Sequence, residues 1–147
     1  MTALPVVLLL SGPNLALLGE RQPEIYGRGT LADHVARFTA ALDGVATVDH
    51  VQADGEIGLI QAVHAARGRC VAIVVNAASC THHAWGLHDA LAAYDGPVIE
   101  VHLSNPDARE PWRRTSVVAP VATGTIAGFG AGSYTLAAHA VRDLLQP

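Results

Sequence analysis

Short, continuous apolar runs separated by longer amphipathic segments constrain the fold of this chain most. Residues 5–10 and 70–75 are apolar without alternation, which is typical of strands that are covered on both faces. In the segment 31–42, which follows a possible helix cap at Thr30, apolar residues recur every three to four positions, as in an amphipathic helix. Alternating strands and helices of this kind predict a parallel α/β sheet with helices on both faces.

The same patterns can be followed along the whole chain. We expect strands at 5–10, 45–51, 70–75 and 98–101, and one or two more within 117–126. We expect helices at 31–42, about 57–68, about 84–93 and 134–145, the last entered through Gly128, Gly130 and Gly132. The chain therefore predicts a flavodoxin-sized three-layer sandwich with a five-stranded parallel sheet, formed by a single domain over residues 1–147.

The charged residues exclude several classes of chemistry. All nine basic residues are arginines, so the chain can form neither a lysine Schiff base nor a P-loop. A net charge of −4 argues against a nucleic-acid partner, and the longest apolar run, 4–10, is far shorter than the ~20 residues of a membrane-spanning helix. Two cysteines are too few for a disulfide framework and no signal peptide is recognisable, so we expect a cytoplasmic protein.

Polar residues directly follow three of the predicted strands. Asn14 comes just after the first strand, residues 76–82 follow the third, and residues 102–105 follow the fourth. Ligands of parallel α/β sheets bind beyond the carboxyl ends of the strands. We therefore expect these polar residues to meet at one rim of the sheet and to form a ligand site there.

A long loop, GPNLALLGERQPEIYG at residues 12–27, contains Arg21 and Tyr26. Connections between strands and helices usually take about 2–6 residues, and longer ones often serve as lids or binding elements, so we predict a lid at about 19–29. A phenol ordinarily ionises near pH ~10 and acts as a base only where nearby cations stabilise the phenolate. Tyr26 beside Arg21 can be such a base, or it can simply anchor a surface loop.

Two further groups suggest acid catalysis and anion binding. Glu100 and His102 project from the same face of a predicted strand end, and a neighbouring carboxylate orients an imidazole and makes it a competent general acid. The alternative is a rim histidine bonded to the backbone. Arg109, Arg113 and Arg114 can hold a carboxylate through paired hydrogen bonds, or they can form a solvated helix face.

Histidines and glycines elsewhere do not match known cofactor sites. The possible metal ligands are Cys80, His82, His83 and His88, and their spacing contains neither a CxxC pair nor HExxH. The glycine-rich segment 128–132 lies near the end of the chain, with no acidic residue about 20 positions further on, so it does not fit a dinucleotide site. We expect no metal and no cofactor.

Three segments, in this order and at these spacings, resemble the type II 3-dehydroquinate dehydratases. They are GPNLALLGERQPEIYG, NAASCTHHAWGLHDAL and EVHLSNPDAREPWRR, and the resemblance extends to ATGTIAGFGAGSY before the last helix. It implies a flavodoxin-like fold and the anti elimination of water from 3-dehydroquinate to give 3-dehydroshikimate, through an enolate and without metal, cofactor or Schiff base. It also implies a homo-oligomer, a dodecamer of four trimers.

The resemblance further implies a role for each matching residue. The base falls on Tyr26, and the arginine that activates it falls on Arg21. The general acid falls on His102 with Glu100 as its partner, and Asn14 would hold the water that stabilises the enolate. Substrate contacts fall on Asn76, His82, Leu103, Ser104 and Arg113, and Asp89 matches an acidic residue that the family contributes to a neighbouring subunit's site.

The sequence departs from the family pattern at a few positions. His83, Ala84 and Trp85 stand where small hydroxyl residues are usual, and Ser11 and Ala16 replace common asparagines. These departures bear on substrate affinity and subunit packing.

Two other functions stay open: a metal-dependent hydrolase or lyase, and a flavodoxin-like small-molecule binding protein. Biosynthetic shikimate-pathway use and quinate breakdown would involve the same reaction, so that choice also stays open.

Overall fold

The computed structural model describes residues 2–146 and contains one five-stranded sheet. Its strands, in the order β2-β1-β3-β4-β5, all pair in parallel. They are β1 (Val6–Ser11), β2 (Thr47–Gln52), β3 (Ala72–Asn76), β4 (Val98–His102) and β5 (Gly124–Ala127). The predicted parallel α/β fold is confirmed.

The described residues form five α-helices and several short 3₁₀ turns, which lie between the strands or, for the last helix, after them. The helices are α1 (Pro23–Tyr26), α2 (Leu31–Ala41), α3 (Glu56–Ala66), α4 (Trp85–Ala92) and α5 (Ala131–Leu145). The predicted cap of α2 forms, because Thr30 Oγ1 accepts the Asp33 N–H at 3.1 Å and the Asp33 carboxylate accepts the Thr30 N–H at 2.9 Å. Within residues 2–146, no helix has both the length and the apolar character needed to cross a membrane.

The packing of strand β1 on both of its faces explains why its sequence is apolar without alternation. Val7 and Leu9 belong to the core between the sheet and helices α2 and α5, whereas Leu8 and Leu10 belong to the core between the sheet and helices α3 and α4. All four side chains are fully buried. Helices therefore cover both faces of the sheet, and the carboxyl ends of the strands form a common rim.

The last third of the chain differs from the predicted boundaries. Residues 117–126 hold a single short strand, because Val117 and Val118 are buried within an irregular segment and do not pair with the sheet. Helix α5 begins at Ala131, three residues before the predicted start. Gly130 precedes it with a φ of 56°, a left-handed conformation that glycine adopts without a steric penalty.

Helix α3 forms where it was predicted and buries one of its faces. Leu59, Val63 and Ala66 are inaccessible to solvent, whereas Ile57, near the start of the helix, is 75% exposed. Leu59, Val63 and Ala66 lie on one helical face, and Ile57 points to roughly the opposite side, towards solvent.

Candidate active site

A cavity opens at the carboxyl ends of β1, β3 and β4, where the polar residues after these strands come together. All predicted site residues except Glu100 and Asp89 line this cavity. Residues from the long loop after β1 border it together with residues that follow β3 and β4. The site therefore draws on segments that are far apart in the sequence and are held together by the sheet.

Tyr26 lies at the end of α1, a single helical turn inside the loop predicted as a lid. Gly27 ends this turn with a φ of 80°, and its N–H donates to the carbonyl oxygen of Pro23 at 2.8 Å. The turn places the Tyr26 ring against two guanidinium groups. The Cζ atoms of Arg21 and Arg109 lie 4.9 Å and 5.1 Å from the ring centroid, so two positive charges flank the phenol.

Arg109 is a site residue that the sequence did not distinguish from its neighbours. Besides facing Tyr26, Arg109 donates from Nη1 to Ser104 Oγ at 3.3 Å, and Ser104 lines the same cavity. The signal was its membership in the arginine cluster with Arg113 and Arg114. Only the conformation of the 3₁₀ turns after β4 decides which members face the cavity: Arg109 and Arg113 do, whereas Arg114 borders a second cavity behind His102.

Arg113 also lines the cavity, and its guanidinium is held from two sides. Its Nε donates to the Glu110 carboxylate, and its Cζ lies 4.1 Å from the centroid of the Trp112 ring. The hydrogen bond from Arg113 lowers the pKa of the Glu110 carboxyl, so Glu110 is ionised at neutral pH. A guanidinium fixed in this way can bind a carboxylate with little loss of side-chain entropy.

His82 has a defined proton position. Its Nδ1 lies 2.7 Å from the carbonyl oxygen of Thr115, and because a carbonyl can only accept, Nδ1 carries the hydrogen. Burial lowers the pKa of His82, so the ring is neutral at pH ~7. Nε2 is then free of hydrogen and can accept a hydrogen bond from a ligand hydroxyl.

His102 and Glu100 form a buried pair at the end of β4. His102 Nε2 lies 2.6 Å from a Glu100 carboxylate oxygen. His102 lines the cavity, whereas Glu100 is 2% exposed and lies behind it. The carboxylate can therefore orient the imidazole without touching a ligand, which is how a partner of a general acid is expected to act.

Asn14 is fixed by residues at the end of β2. Its backbone is left-handed, with a φ of 67°, and its N–H donates to Asp54 Oδ1 at 3.0 Å. Gln52 Nε2 donates to the same oxygen at 2.9 Å and to the carbonyl oxygen of Gly12 at 3.2 Å. The hydrogen bond from the Asn14 N–H lowers the pKa of the Asp54 carboxyl, which keeps this acceptor charged at neutral pH.

The loops after β1 and β3 touch at Gly12. A Cβ atom at this position would lie 2.5 Å from the carbonyl oxygen of Ala77, so only glycine allows the contact. In the adjoining loop, Asn76 Nδ2 donates to the Tyr134 hydroxyl at 3.1 Å and Asn76 Oδ1 accepts the Ala78 N–H at 3.2 Å. These bonds fix the amide and leave one of its two N–H groups for a ligand.

Comparison with known proteins identifies the family. The family model for class II dehydroquinases matches residues 5–142. The chain is 52% identical over 138 residues to the 3-dehydroquinate dehydratase of Hyphomonas neptunium, an alignment that covers 94% of this chain and 93% of the relative. The chain belongs to the class II dehydroquinase family.

Solved structures of class II dehydroquinases support the same assignment. The crystal structure of the type II dehydroquinase from Propionibacterium acnes superposes with a TM-score of 0.89 at 38% identity, covering 97% of this chain and 99% of that one. A second relative, named 3-dehydroquinate dehydratase 2 of Pseudomonas putida, is 45% identical over 144 residues, covering 97% of this chain and 96% of the relative. The resemblance indicated by the three motifs, and the flavodoxin-like fold that it implied, are confirmed.

Two residues that the sequence singled out, Asp89 and the possible metal ligand Cys80, lie outside the cavity of this class II dehydroquinase chain. Asp89 is exposed on α4 and does not border the cavity of its own chain. Cys80 is buried, and burial raises the pKa of its thiol. Among residues 2–146, no three His, Cys, Asp or Glu side chains are placed to hold one metal ion, so the metal-dependent alternative has no ligand set there.

Proposed function

We propose that the protein removes water from 3-dehydroquinate to give 3-dehydroshikimate, with Tyr26 as the base and His102 as the acid. The observation that carries this proposal is the placement of Tyr26, flanked by two guanidinium groups, in the same cavity as an imidazole bonded to a buried carboxylate. Membership of the class II dehydroquinase family, whose relatives bear the name of this activity, supports the choice of substrate.

The first step is removal of a proton from the carbon next to the substrate ketone. The Tyr26 phenolate takes the proton, and the electron pair of the C–H bond moves towards the ketone oxygen, which becomes an enolate. Arg21 and Arg109 stabilise the negative charge of the phenolate before it reacts. Asn14, whose backbone is held by Asp54, positions a water molecule that donates to the enolate oxygen.

The second step is loss of the hydroxyl group from the neighbouring carbon. His102 gives a proton to that oxygen as the C–O bond breaks, water departs, and the enolate electrons form the conjugated double bond. Glu100 accepts the Nε2–H of His102 and orients the ring for this transfer. Acid and base act from opposite faces of the substrate ring, which gives an anti elimination. Exchange with solvent then removes the proton from Tyr26 and returns one to His102.

The remaining cavity residues bind the substrate. Arg113 forms paired hydrogen bonds with the substrate carboxylate, because its guanidinium is already fixed by Glu110 and Trp112. His82 Nε2 accepts a hydrogen bond from a substrate hydroxyl, and the free N–H of Asn76 donates to another. Leu103 and Ser104 contact the substrate at the end of β4, Leu103 largely through its backbone.

A direct assay tests this function. Purified protein mixed with 3-dehydroquinate should produce the ultraviolet absorbance of a conjugated enone, at the same rate with a strong chelator present. Borohydride treatment in the presence of substrate, followed by dilution into fresh substrate, should leave the activity intact because the chain has no lysine to trap as a reduced imine. Absence of product would favour a binding protein, and loss of activity with chelator would favour a metal enzyme.

We further propose that the protein is a homododecamer of four trimers in which Asp89 serves a neighbouring subunit's site. The exposure of Asp89 on α4, away from its own cavity, supports this arrangement. Sedimentation velocity should then show a species with the mass of twelve 15.3 kDa chains. A fully active monomer would contradict the proposal.

A further inference from the structure

Ser116 lies outside the cavity lining but contacts the carboxylate behind His102. Its Oγ lies 3.0 Å from each of the two Glu100 carboxylate oxygens. The same Oγ accepts the N–H groups of Val118 at 3.2 Å and Ala119 at 2.9 Å. A hydroxyl has one proton and two acceptor lone pairs, and these N–H groups use both lone pairs. The Ser116 proton therefore points to Glu100.

The backbone on both sides of Ser116 is held in place by histidines. His82 Nδ1 donates to the carbonyl oxygen of Thr115 at 2.7 Å, and His88 Nδ1 lies 2.7 Å from the carbonyl oxygen of Val117, so it also donates. The backbone of Ser116 is thus fixed, and rotation of its hydroxyl away from Glu100 would break the hydrogen bonds that Oγ accepts from Val118 and Ala119.

Glu100 has few other groups to hold its carboxylate. Within residues 2–146, Thr125 is the only side chain besides Ser116 and His102 that donates a hydrogen bond to Glu100, and its Oγ1 lies 3.4 Å from the carboxylate. Glu100 is 2% exposed, so bulk water is a poor replacement for a lost donor. The terminal torsion of a glutamate is also broad, and the carboxylate needs external contacts to fix its plane.

We propose that Ser116 is a positioning residue for the acid step: its hydroxyl holds the Glu100 carboxylate in the orientation that binds His102 Nε2–H. This inference rests on the proposed role of His102 as the general acid. Ser116 does not border the cavity that contains Tyr26, so it should affect loss of the hydroxyl and leave proton removal by Tyr26 unaffected.

The Ser116→Ala variant tests this role by kinetics. We expect kcat to fall by roughly tenfold or more, as for a lost hydrogen bond to a charged group, with KM close to that of the parent protein. We also expect the kinetic isotope effect of substrate deuterated next to the ketone to decline towards unity, because loss of the hydroxyl becomes slower than proton removal. A purely structural defect would not shift the isotope effect in this way.

Two further variants provide controls. Ser116→Thr keeps the hydroxyl and should restore most of kcat and of the isotope effect. Thr125→Val removes the donor at 3.4 Å and should lower kcat much less than Ser116→Ala does. An unchanged kcat and isotope effect in Ser116→Ala would overturn the inference, and so would an equal loss in Ser116→Ala and Ser116→Thr. If the alanine variant does not fold, Ser116→Cys, which has a weaker donor, is judged by the same criteria.

A spectroscopic measurement separates this inference from the proposed function. The Nε2–H resonance of His102 in ¹⁵N-labelled protein should shift or broaden in Ser116→Ala whether or not the protein turns over 3-dehydroquinate. If the wild-type protein shows no turnover, the proposed function fails, while the resonance still decides the role of Ser116. A resonance unaffected by the substitution would show that Ser116 does not position the pair.

Discussion

The Tyr26→Phe variant is expected to lose almost all turnover of 3-dehydroquinate while remaining folded. Phenylalanine keeps the aromatic ring against Arg21 and Arg109, whose Cζ atoms lie within 5.1 Å of the ring centroid, so packing is preserved. Only the phenolic oxygen is removed, and with it the proposed base. We expect kcat to fall by about 10²–10⁴-fold, the usual contribution of general base catalysis, as measured by the absorbance of the conjugated product.

Tyr94→Phe is a matched control for Tyr26→Phe. The Tyr94 hydroxyl donates to the Cys70 carbonyl oxygen at 2.6 Å, away from the cavity, and burial raises the pKa of Tyr94 to about 12. Its removal should lower the free energy of unfolding by about 1 kcal/mol because a buried carbonyl loses its donor, with turnover unchanged. Wild-type kcat in Tyr26→Phe, with thermal unfolding unchanged, would show that the base is another group.

Hydrogen–deuterium exchange at the substrate carbon next to the ketone provides a second test of Tyr26→Phe. If Tyr26 removes the proton next to the ketone, the variant should also fail to exchange that proton with deuterated solvent. NMR of the recovered substrate measures this exchange directly. Rapid exchange in Tyr26→Phe would assign proton removal to a different residue, even if overall turnover were low.

The fold and the location of the site could be predicted because both follow from local rules. A strand buried on both faces must be continuously apolar, as residues 6–10 are, and parallel strands place their carboxyl ends at one rim. Asn14 follows β1, and Asn76 and His102 are the last residues of β3 and β4, so their convergence required no knowledge of the loops. The roles given to these residues, by contrast, came from the resemblance to a family and still need the kinetic tests.

The parts that could not be predicted depend on loop conformation. Nothing in the spacing of Arg109, Arg113 and Arg114 decides which of them meets Tyr26, because the 3₁₀ turns after β4 set their directions. Ser116 reaches Glu100 only because an irregular segment folds back against β4. Asp54 likewise contacts Asn14 across 40 positions of sequence through the turn after β2.

The exclusive use of arginine has a consequence for the proposed base. A lysine beside a phenol could lose its own proton and so its charge, whereas a guanidinium is not deprotonated in proteins. Arg21 and Arg109 therefore keep their charges next to Tyr26, and Arg113 keeps its charge in the cavity, where we propose that it binds the substrate carboxylate. A chain with nine arginines and no lysine fits the proposed enolate route and has no lysine with which to form an imine.

The His102→Gln variant should separate the two chemical steps. Glutamine can donate an amide N–H to Glu100, so the buried carboxylate keeps a partner, but the amide has no proton to give to the leaving hydroxyl at neutral pH. We expect kcat to fall by about 10²–10⁴-fold, with KM changed only a few-fold. His83→Gln is the matched control: His83 is exposed and outside the cavity lining, and its replacement should leave kcat unchanged.

Proton exchange distinguishes the loss of the acid from the loss of the base. Tyr26 is intact in His102→Gln, so the enolate should still form and return to substrate, and the proton next to the ketone should exchange with deuterated solvent although little product appears. In Tyr26→Phe neither exchange nor product is expected. If His102→Gln were to retain wild-type kcat, or to lose exchange together with product, the acid would lie elsewhere and His102 would instead support the base or the binding of the substrate.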